Sequence, residues 1–365
     1  MTLFPAQATI AGVVLFLFTG VIRASEFAPA ETIPIFSPGE DVTVTRVAFA
    51  SCANQNQDMR LFGAIGELSP DVFLFIGDNV YAETEKDDPE LASLKEAYRD
   101  LAQAEPFTRL VANVPTMVTW DDHDFGLNDA GGDWPHKGRS EALFNHVWNV
   151  DDERADREGV YYSRTMGPKG QRVQIIVLDT RYFRTGLKKS RKRLDHGRYD
   201  PDKSRDATLL GEAQWEWLGD QLRQPADVRI IASSIQVIAD GHNWEAWLLF
   251  PRERERLYRL IQRTRANGVV FLSGDRHSAA LYETDLGEVR VPEITASSVN
   301  LPLSGWVENI VTEPGPNRYG VPYYDANFGL VEIDWDTGEI IMQVRDYRNR
   351  TVRAASVKLE DMTFR

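Results

Sequence analysis

The chain has 365 residues, of which 42% are hydrophobic, and it carries a formal net charge of −14. This length supports one large domain or two small ones. An acidic surface of this kind argues against nucleic acid as a stable partner and against attraction to anionic membranes, since both require basic patches.

The amino-terminal segment predicts export. Its apolar stretch, Ala8–Ile22, is too short for a typical membrane-spanning helix, and Ile22-Arg23-Ala24 resembles a signal-peptide cleavage site. We predict a signal peptide over residues 1–24, an extended lead-in over 25–46 and one domain over 47–365. The mature protein would then be secreted, periplasmic or extracellular, without a membrane segment. An uncleaved anchor or a wrongly assigned start codon is the alternative.

Apolar periodicity predicts strands and helices that alternate through most of the domain. Helices are predicted over Met59–Leu68, Pro89–Val114 in two pieces, Glu141–Trp148, Leu209–Leu222 and Pro251–Asn267. Strands are predicted over Val47–Ala50, Val72–Ile76, Thr116–Val118, Tyr161–Ser163, Val173–Leu178, Val228–Ile238, Val269–Leu272, Val289–Thr295, Gly329–Asp334 and Glu339–Val344. Sheets flanked by helices indicate a layered αββα domain of the α/β (α+β) class.

Four of these strands end in the same way, with polar residues directly after a short apolar run. The residues that follow are Cys52 after the first, Asp78 and Tyr81 after the second, Asp122 and His123 after the third, and Asp275 and His277 after the fourth. Because open α/β sheets bind ligands at the carboxyl ends of their strands, this repetition predicts one site, of metallic character. Each piece taken alone is equally consistent with a turn, a helix cap or a buried cysteine.

The donor types favour a hydrolytic centre with two metal ions. Such a centre needs oxygen and imidazole ligands and one carboxylate that bridges the ions, and Asp78 is well placed for the bridge. Asp275 and His277, two residues apart, can face the same side. A phenolate from Tyr81 or a thiolate from Cys52, the one cysteine of the chain, suits a trivalent or soft ion better than Mg²⁺.

The segment Thr185–Asp206 has no apolar periodicity and contains a basic run, Lys188 to Arg193. A solvated surface loop is the default interpretation. The alternative is an electrostatic rim that attracts an anionic substrate past an acidic body.

Together these motifs resemble the PhoD-like (alkaline phosphatase D) branch of the calcineurin-type metallophosphoesterases. The matching segments are FASCANQ, FLFIGDNVYAE, AYRDLAQAEPFTRLVANVPTMVTWDDHDFGLND, IIVLDTRYFR, LGEAQWEWL and VFLSGDRHSA. The resemblance implies a four-layer αββα sandwich of two mixed sheets. It also implies a hydrolase of phosphate esters, in which a metal-bound hydroxide attacks phosphorus in line. We further predict that the exported protein is a monomer.

The resemblance also assigns roles to single residues. It implies an Fe³⁺ and Ca²⁺ centre, with Zn²⁺ or Mn²⁺ as alternatives, held by Cys52, Asp78, Tyr81, Asp122, Asn128, Asp275 and His277. His123 would stabilise the transition state, and Arg99 would hold the substrate phosphate with its planar guanidinium. Leu127 departs from the pattern, since many relatives have a second asparagine there. The rival functions are a phosphodiesterase or phospholipase D-like hydrolase and a non-catalytic, metal-stabilised binding protein.

Overall fold

The computed structural model describes residues 32–82, 87–150, 153–306 and 313–365. The predicted signal peptide and the first part of the predicted lead-in lie outside these residues. The described part of the lead-in, residues 32–45, forms neither helix nor strand. Within the described ranges, every helix is too short or too polar to cross a membrane.

The described residues contain thirteen strands and seven α-helices. The strands are β1 (Arg46–Ala50), β2 (Val72–Ile76), β3 (Thr116–Thr119), β4 (Tyr162–Met166), β5 (Val173–Val177), β6 (Val228–Ala232), β7 (Val269–Ser273), β8 (Ala279–Leu286), β9 (Val289–Ala296), β10 (Arg318–Tyr323), β11 (Phe328–Asp334), β12 (Glu339–Arg345) and β13 (Thr351–Lys358). The helices are α1 (Arg60–Glu67), α2 (Ala92–Leu101), α3 (Glu105–Asn113), α4 (Asp122–Phe125), α5 (Lys137–Val147), α6 (Gly211–Leu222) and α7 (Pro251–Thr264).

The strands form two mixed sheets. The first has the order β13-β12-β11-β1-β2-β3, and the second has the order β10-β8-β9-β7-β6-β5-β4. Strands β1, β2 and β3 are parallel to one another, as are β5, β6 and β7. Parallel strands place their carboxyl ends along one edge of a sheet, so each sheet offers one such edge for a site.

Alternation of side chains along β2 explains the layers. Phe73 and Phe75 point to one face, where they pack with Phe62 of α1 and Phe107 of α3. The intervening residues Val72, Leu74 and Ile76 pack against the second sheet. The outer face of the second sheet is covered by α6 and α7. A strand that is buried on both faces requires such an arrangement, and the predicted αββα sandwich is confirmed.

Several predicted boundaries need correction. The strand predicted over Val228–Ile238 ends at Ala232, and the helix predicted to start at Glu141 starts at Lys137. Strands β8, β10 and β13 were not predicted. Two of these lie at sheet edges, β10 with Gly320 and Pro322 inside it and β13 with an exposed, polar sequence. Edge strands tolerate such residues, so their sequences carry a weak strand signal.

The carboxyl ends of the parallel strands in the two sheets meet. The Ser234 hydroxyl, beyond β6, donates to Asp121 Oδ1, beyond β3, at 2.7 Å. The Gly274 N–H, beyond β7, donates to the Ser234 carbonyl at 2.9 Å. These contacts bring the polar residues that follow strands of both sheets to one place.

Candidate metal centre

Seven of the predicted site residues converge where the two sheets meet. We call them the candidate metal centre: Cys52, Asp78, Tyr81, Asp122, His123, Asp275 and His277. The Tyr81 hydroxyl is 2.9 Å from Asp78 Oδ2 and 3.2 Å from His277 Nε2. Cys52 Sγ is 3.5 Å from the same Asp78 oxygen. Chain segments separated by about 200 residues thus place their donor atoms within contact distance.

Asp78 belongs to two groups of candidate ligands. The donor atoms of Cys52, Asp78 and His277 lie within 4.8 Å of one another, and so do those of Asp78, Asp122 and His123. The ring of His123, in the second group, stacks on the ring of Tyr81 with the ring centroids 4.2 Å apart. Because the Tyr81 hydroxyl contacts Asp78 and His277 of the first group, this stacking is a second link between the two groups. One carboxylate shared by two neighbouring ligand groups is the arrangement that a bridged pair of metal ions requires.

The backbone at this centre adopts an uncommon conformation. Cys52, Asp78, Asp275 and His277 have φ angles of 57°, 50°, 66° and 51°, in the left-handed region. Each such residue costs about 1–3 kcal/mol, and the surrounding structure must hold it. Four strained residues among seven candidate ligands indicate that the turns beyond the strands are shaped to aim these side chains.

The glycines of the two Gly-Asp motifs are required by close packing between the strand ends. Gly77 has φ of 110°, and a Cβ on it would lie 2.7 Å from the Asp121 Cβ. A Cβ on Gly274 would lie 2.5 Å from the Ser51 Oγ. The strands can approach closely enough to share ligands only because both positions lack a side chain.

Buried hydrogen bonds orient the candidate ligands. Asp124 accepts the backbone N–H groups of Asp78 and Asn79, both at 3.2 Å, and so fixes the turn beyond β2. The Nδ1 atom of His277 is 2.5 Å from the Leu301 carbonyl oxygen, which can only accept, so Nδ1 carries the proton. The Nε2 atom of His277 is therefore left with its lone pair toward Tyr81 and Asp78, as a metal-ligating imidazole requires.

The charges and donor types of the centre fit a bound cation. Burial raises the pKa of Asp78 and of Asp275, because neither carboxylate is sufficiently compensated by protein cations. Burial also lowers the pKa of His277, which keeps the imidazole neutral and able to ligate. Carboxylate, imidazole, phenol and thiol donors in one buried cluster form a ligand set for a transition metal, and the repulsion between buried carboxylates supplies its driving force.

Two arginines and two carboxylates form a buried network beside the centre, and their formal charges sum to zero. Arg181 donates through Nε to Asp121 at 2.6 Å and lies 2.8 Å from Glu245, which is 3.0 Å from Arg184. Arg184 Nη2 also donates to the Ala130 carbonyl at 2.7 Å. Burial alone would lower the pKa of Arg181, but Asp121 and Glu245 raise it, so that it stays charged. This network fixes both segments that flank Asp122 and Asn128.

A cavity of about 540 Å³ opens above the centre. Its walls include Asp78, Asp122, His123, Asn128, Asp129, Leu194, Asp195, His196, Gly197, Arg198, Tyr199, Trp244, Glu245, Asp275, Arg276, His277, Leu303 and Glu313. Asn128 therefore shares the cavity with the candidate ligands, although it belongs to neither ligand group. A cavity of this size accommodates a phosphate and the group esterified to it.

The segment Lys188–Asp200, which we call the rim loop, contributes one wall of the cavity through its returning arm, Leu194–Tyr199. Its two arms are joined by the Ser190 N–H, which donates to the Arg198 carbonyl at 2.9 Å, and by the Asp200 N–H, which donates to the Lys188 carbonyl at 2.8 Å. The Tyr199 hydroxyl donates to the Asp129 carboxylate. Asp129 in turn donates its N–H to Asp122 Oδ2 at 2.8 Å, so the rim loop is connected to the centre.

Arg99 lies apart from the other predicted site residues. Its side chain is exposed on α2, and it is not among the residues that line the cavity. The neighbouring Tyr98 faces inward and packs on Trp148. The helix therefore turns Arg99 away from the core, and its predicted contact with a substrate phosphate has no support in its position.

Some residues of the site were not singled out from the sequence. Arg181 lies just beyond β5 and so obeys the rule of polar residues beyond a core strand. Trp244 and Glu245 lie in the long connection between β6 and α7, where no local pattern marked them. Arg276 lies between Asp275 and His277, directly beyond β7, and it pairs with Glu313 at 2.8 Å in the cavity wall. Glu313 carried no comparable signal.

Comparisons with known proteins identify the family and the fold. The family described as PhoD-like phosphatase matches residues 47–344 of the chain. Alkaline phosphatase D of Bacillus subtilis (strain 168) is 26% identical over 301 residues, which cover 70% of this chain and 49% of that protein. The chain thus spans about half the length of that curated relative. The solved structure described as "Structure of PhoD" superposes with a TM-score of 0.69 at 18% identity, covering 89% of this chain and 70% of that one, and it shares the fold.

Proposed function

Because the chain belongs to the PhoD-like phosphatase family, we propose that it is a hydrolase of phosphoric esters that works with bound metal ions. The observation that carries this proposal is the position of Asp78, shared by two ligand groups at the bottom of an open cavity. Hydrolysis by a pair of ions requires such a shared carboxylate next to space for a substrate.

The donor types suggest which residues would hold the ions. Cys52, Tyr81, Asp275 and His277 would hold one ion together with Asp78, and Asp122 and Asn128 would complete the site of a second. By family resemblance the ions are Fe³⁺ and Ca²⁺, and Zn²⁺ or Mn²⁺ could use the same donors. When bound, such ions neutralise phosphoryl oxygens and lower the pKa of a water molecule.

The chain's own residues would bind and orient the ester. His123 lines the cavity and stacks on Tyr81, which holds its ring in place for a contact with the phosphoryl oxygens or the leaving group. The phosphate-binding role of Arg99 stays a prediction from family resemblance. Arg198 and Arg276 are the arginines of the described residues that do line the cavity, and Arg276 is paired with Glu313.

A phosphodiesterase or phospholipase D-like activity is the second candidate. The cavity volume of about 540 Å³ favours it, since a cavity this large leaves room for substituents on both sides of a phosphate. A non-catalytic, metal-stabilised binding protein is the remaining alternative. For the location and the assembly of the protein we propose secretion after signal removal and a monomer.

Metal analysis combined with hydrolysis assays tests the proposal. The protein purified with its metals is expected to hydrolyse a nitrophenyl phosphate monoester or the corresponding diester, and the ratio of the two rates decides between the two enzymatic candidates. Chelation should abolish both rates, and readdition of one metal at a time should identify the active ions. Metal-loaded protein that hydrolyses neither ester would support the non-catalytic alternative.

A further inference from the structure

The rim loop contains the most concentrated positive charge in a chain whose net charge is −14. Five of the six residues from Lys188 to Arg193 are basic: Lys188, Lys189, Arg191, Lys192 and Arg193. All five side chains are exposed. Like charges at this density repel one another, so the run carries an electrostatic cost that an ordinary surface loop would avoid.

The backbone fixes this basic run beside the cavity. The bridge between Lys189 and Tyr199 and the hydrogen bonds around it make the two arms of the rim loop antiparallel. The returning arm, from Leu194 to Tyr199, lines the cavity. Because consecutive Cα atoms are about 3.8 Å apart, the Cα atom of Arg191 lies within about 11 Å of that of Leu194. The cations at the tip of the loop are therefore separated from a residue of the cavity wall by a few residues of chain at most.

These cations are not neutralised by the rest of the described chain. Lys188 acts on Asp202, whose pKa is lowered first by hydrogen bonding from Ser204 and then by other contacts that include this lysine. In the described ranges, no ion pair with a carboxylate is formed by Lys189, Arg191, Lys192 or Arg193. Elsewhere on the surface basic side chains do pair, as Arg256 does with Glu212 and Arg139 with Glu90. Four exposed, unneutralised cations beside an acidic centre are available to an anionic ligand.

We propose that the rim loop is a second anion subsite and that the substrate is a phosphate ester carrying at least one further phosphate group. This inference rests on the proposed hydrolase function of the same cavity. The reacting phosphate lies at the centre, and the additional phosphate contacts Lys189, Arg191, Lys192 and Arg193. A substrate with a single phosphate reaches the centre without using these side chains. The subsite therefore selects multiply phosphorylated esters, whether they are small molecules or polymers.

A charge-removal variant tests the proposal. In the variant, Lys189→Gln, Arg191→Gln, Lys192→Gln and Arg193→Gln are combined, none of which lines the cavity. The control variant removes four exposed cations that lie away from the cavity: Lys169→Gln, Arg223→Gln, Arg259→Gln and Arg263→Gln. Both variants change the net charge of the protein equally, so a difference between them reports position.

The substrates are matched in the same way. Thymidine monophosphate and thymidine bisphosphate form one pair, and their nitrophenyl diesters form a second pair for an enzyme that prefers diesters. We expect the rim variant to lower kcat/KM on the bisphosphate by about tenfold at low salt. We expect less than a twofold change on the monophosphate, and almost no effect of the control variant on either. High salt should remove the difference, because the Debye length falls to about 3 Å at 1 M.

The other possible results of these assays lead to different conclusions. A phosphorylated thymidine oligomer that shows a larger loss than the bisphosphate would identify a polymer as the preferred source of the additional phosphates. Equal losses on the monophosphate and the bisphosphate, or equal effects of the two variants, would overturn the second subsite. Wild-type protein that hydrolyses none of these esters with its metals bound would instead overturn the proposed function.

Discussion

The candidate metal centre and the rim loop border the same cavity, but they are held in place by different means. The centre is built on the ends of four core strands, its side chains are buried or half-buried, and four of its residues have left-handed backbones. The rim loop has no regular strand, is joined by a few backbone hydrogen bonds and exposes most of its charge. The proposed hydrolysis, which depends on sub-ångström placement of the ligands, therefore takes place on the rigid strand ends. The proposed contact with the variable part of the substrate is made by a loop.

The largest effect is expected from the carboxylate that the two ligand groups share. Asp78→Asn should lower kcat by at least ~10³-fold, since electrostatic stabilisation accounts for most of the catalysis of phosphoryl transfer. Asp275→Asn should have a similar effect, while Asp285→Asn, an exposed control near the carboxyl end of β8, should change nothing. Turnover and metal content are the measurements. Turnover close to that of the wild type in Asp78→Asn would show that the centre is placed wrongly.

The close packing of the strand ends can be tested without changing a ligand. Gly274→Ala would place a Cβ 2.5 Å from the Ser51 Oγ. Overpacking of this kind costs about 1–3 kcal/mol in the free energy of unfolding, and the displaced turn should lower the metal occupancy. Gly63→Ala in α1 meets no atom within 4 Å and should preserve stability. Thermal unfolding and metal analysis separate the two variants, and equal behaviour would contradict a tightly packed junction.

A spectroscopic comparison can separate a tyrosine of the centre from a tyrosine of the rim. If the centre holds Fe³⁺ through phenolate and thiolate donors, purified protein absorbs visible light. We then expect Tyr81→Phe or Cys52→Ser to shift or remove the band, and Tyr199→Phe to leave it unchanged. Reversible loss of the band on reduction with dithionite is the second check. A colourless protein that is fully active without iron would refute the iron assignment. It would leave the proposed hydrolase function intact, since Zn²⁺ or Mn²⁺ could bind to the same donors.

Two arginines test whether substrate phosphate is held at the rim. Arg198→Lys should raise KM for phosphate esters several-fold, because lysine keeps the charge but loses the planar fork. Arg99→Lys should raise KM less, since of these two arginines only Arg198 lines the cavity. Steady-state kinetics with inhibition by inorganic phosphate measures both. A larger rise for Arg99→Lys would restore the role that family resemblance assigns to it.

The smallest expected effect concerns a buried carboxyl that lies outside both regions. Burial raises the pKa of Glu141 on α5 to about 8, while an unfolded glutamate has a pKa of about 4.3. Between these values the folded protein keeps a proton that the unfolded chain has lost, so the free energy of unfolding falls as the pH rises from about 4.3 to 8. Glu141→Gln, which resembles the protonated form, should raise Tm at pH 8 and leave it unchanged near pH 4. A Tm difference that does not depend on pH would exclude this titration.

The sequence was sufficient to predict that the candidate ligands lie together, because the motifs that contain them follow a strong local signal, a short apolar run. The runs before Cys52, Asp78, Asp122 and Asp275 are all core strands, and their polar ends meet in the structure. Local patterns also predicted the layers, since a strand with apolar residues at every position must be covered on both faces.

The cavity walls could not be predicted in the same way. Glu313 and the returning arm of the rim loop reach the cavity through loop conformations that no periodic pattern encodes. The role of Arg99 stays a prediction that rests on a motif alone, because the amphipathic face of α2 turns its side chain outward. Strands β10 and β13 were missed because a sheet edge places few demands on its sequence.

The division of the ligands between two sheets has a consequence for the order of events during synthesis. Asp78 emerges from the ribosome about 200 residues before His277, which corresponds to roughly 10–40 s of translation. During that interval the first sheet can offer only Cys52, Asp78, Tyr81 and the residues after β3, without the imidazole and carboxylate that follow β7. The complete ligand set exists only after the second sheet has docked on the first. The identity of the metal is therefore decided in the compartment where the chain completes its folding.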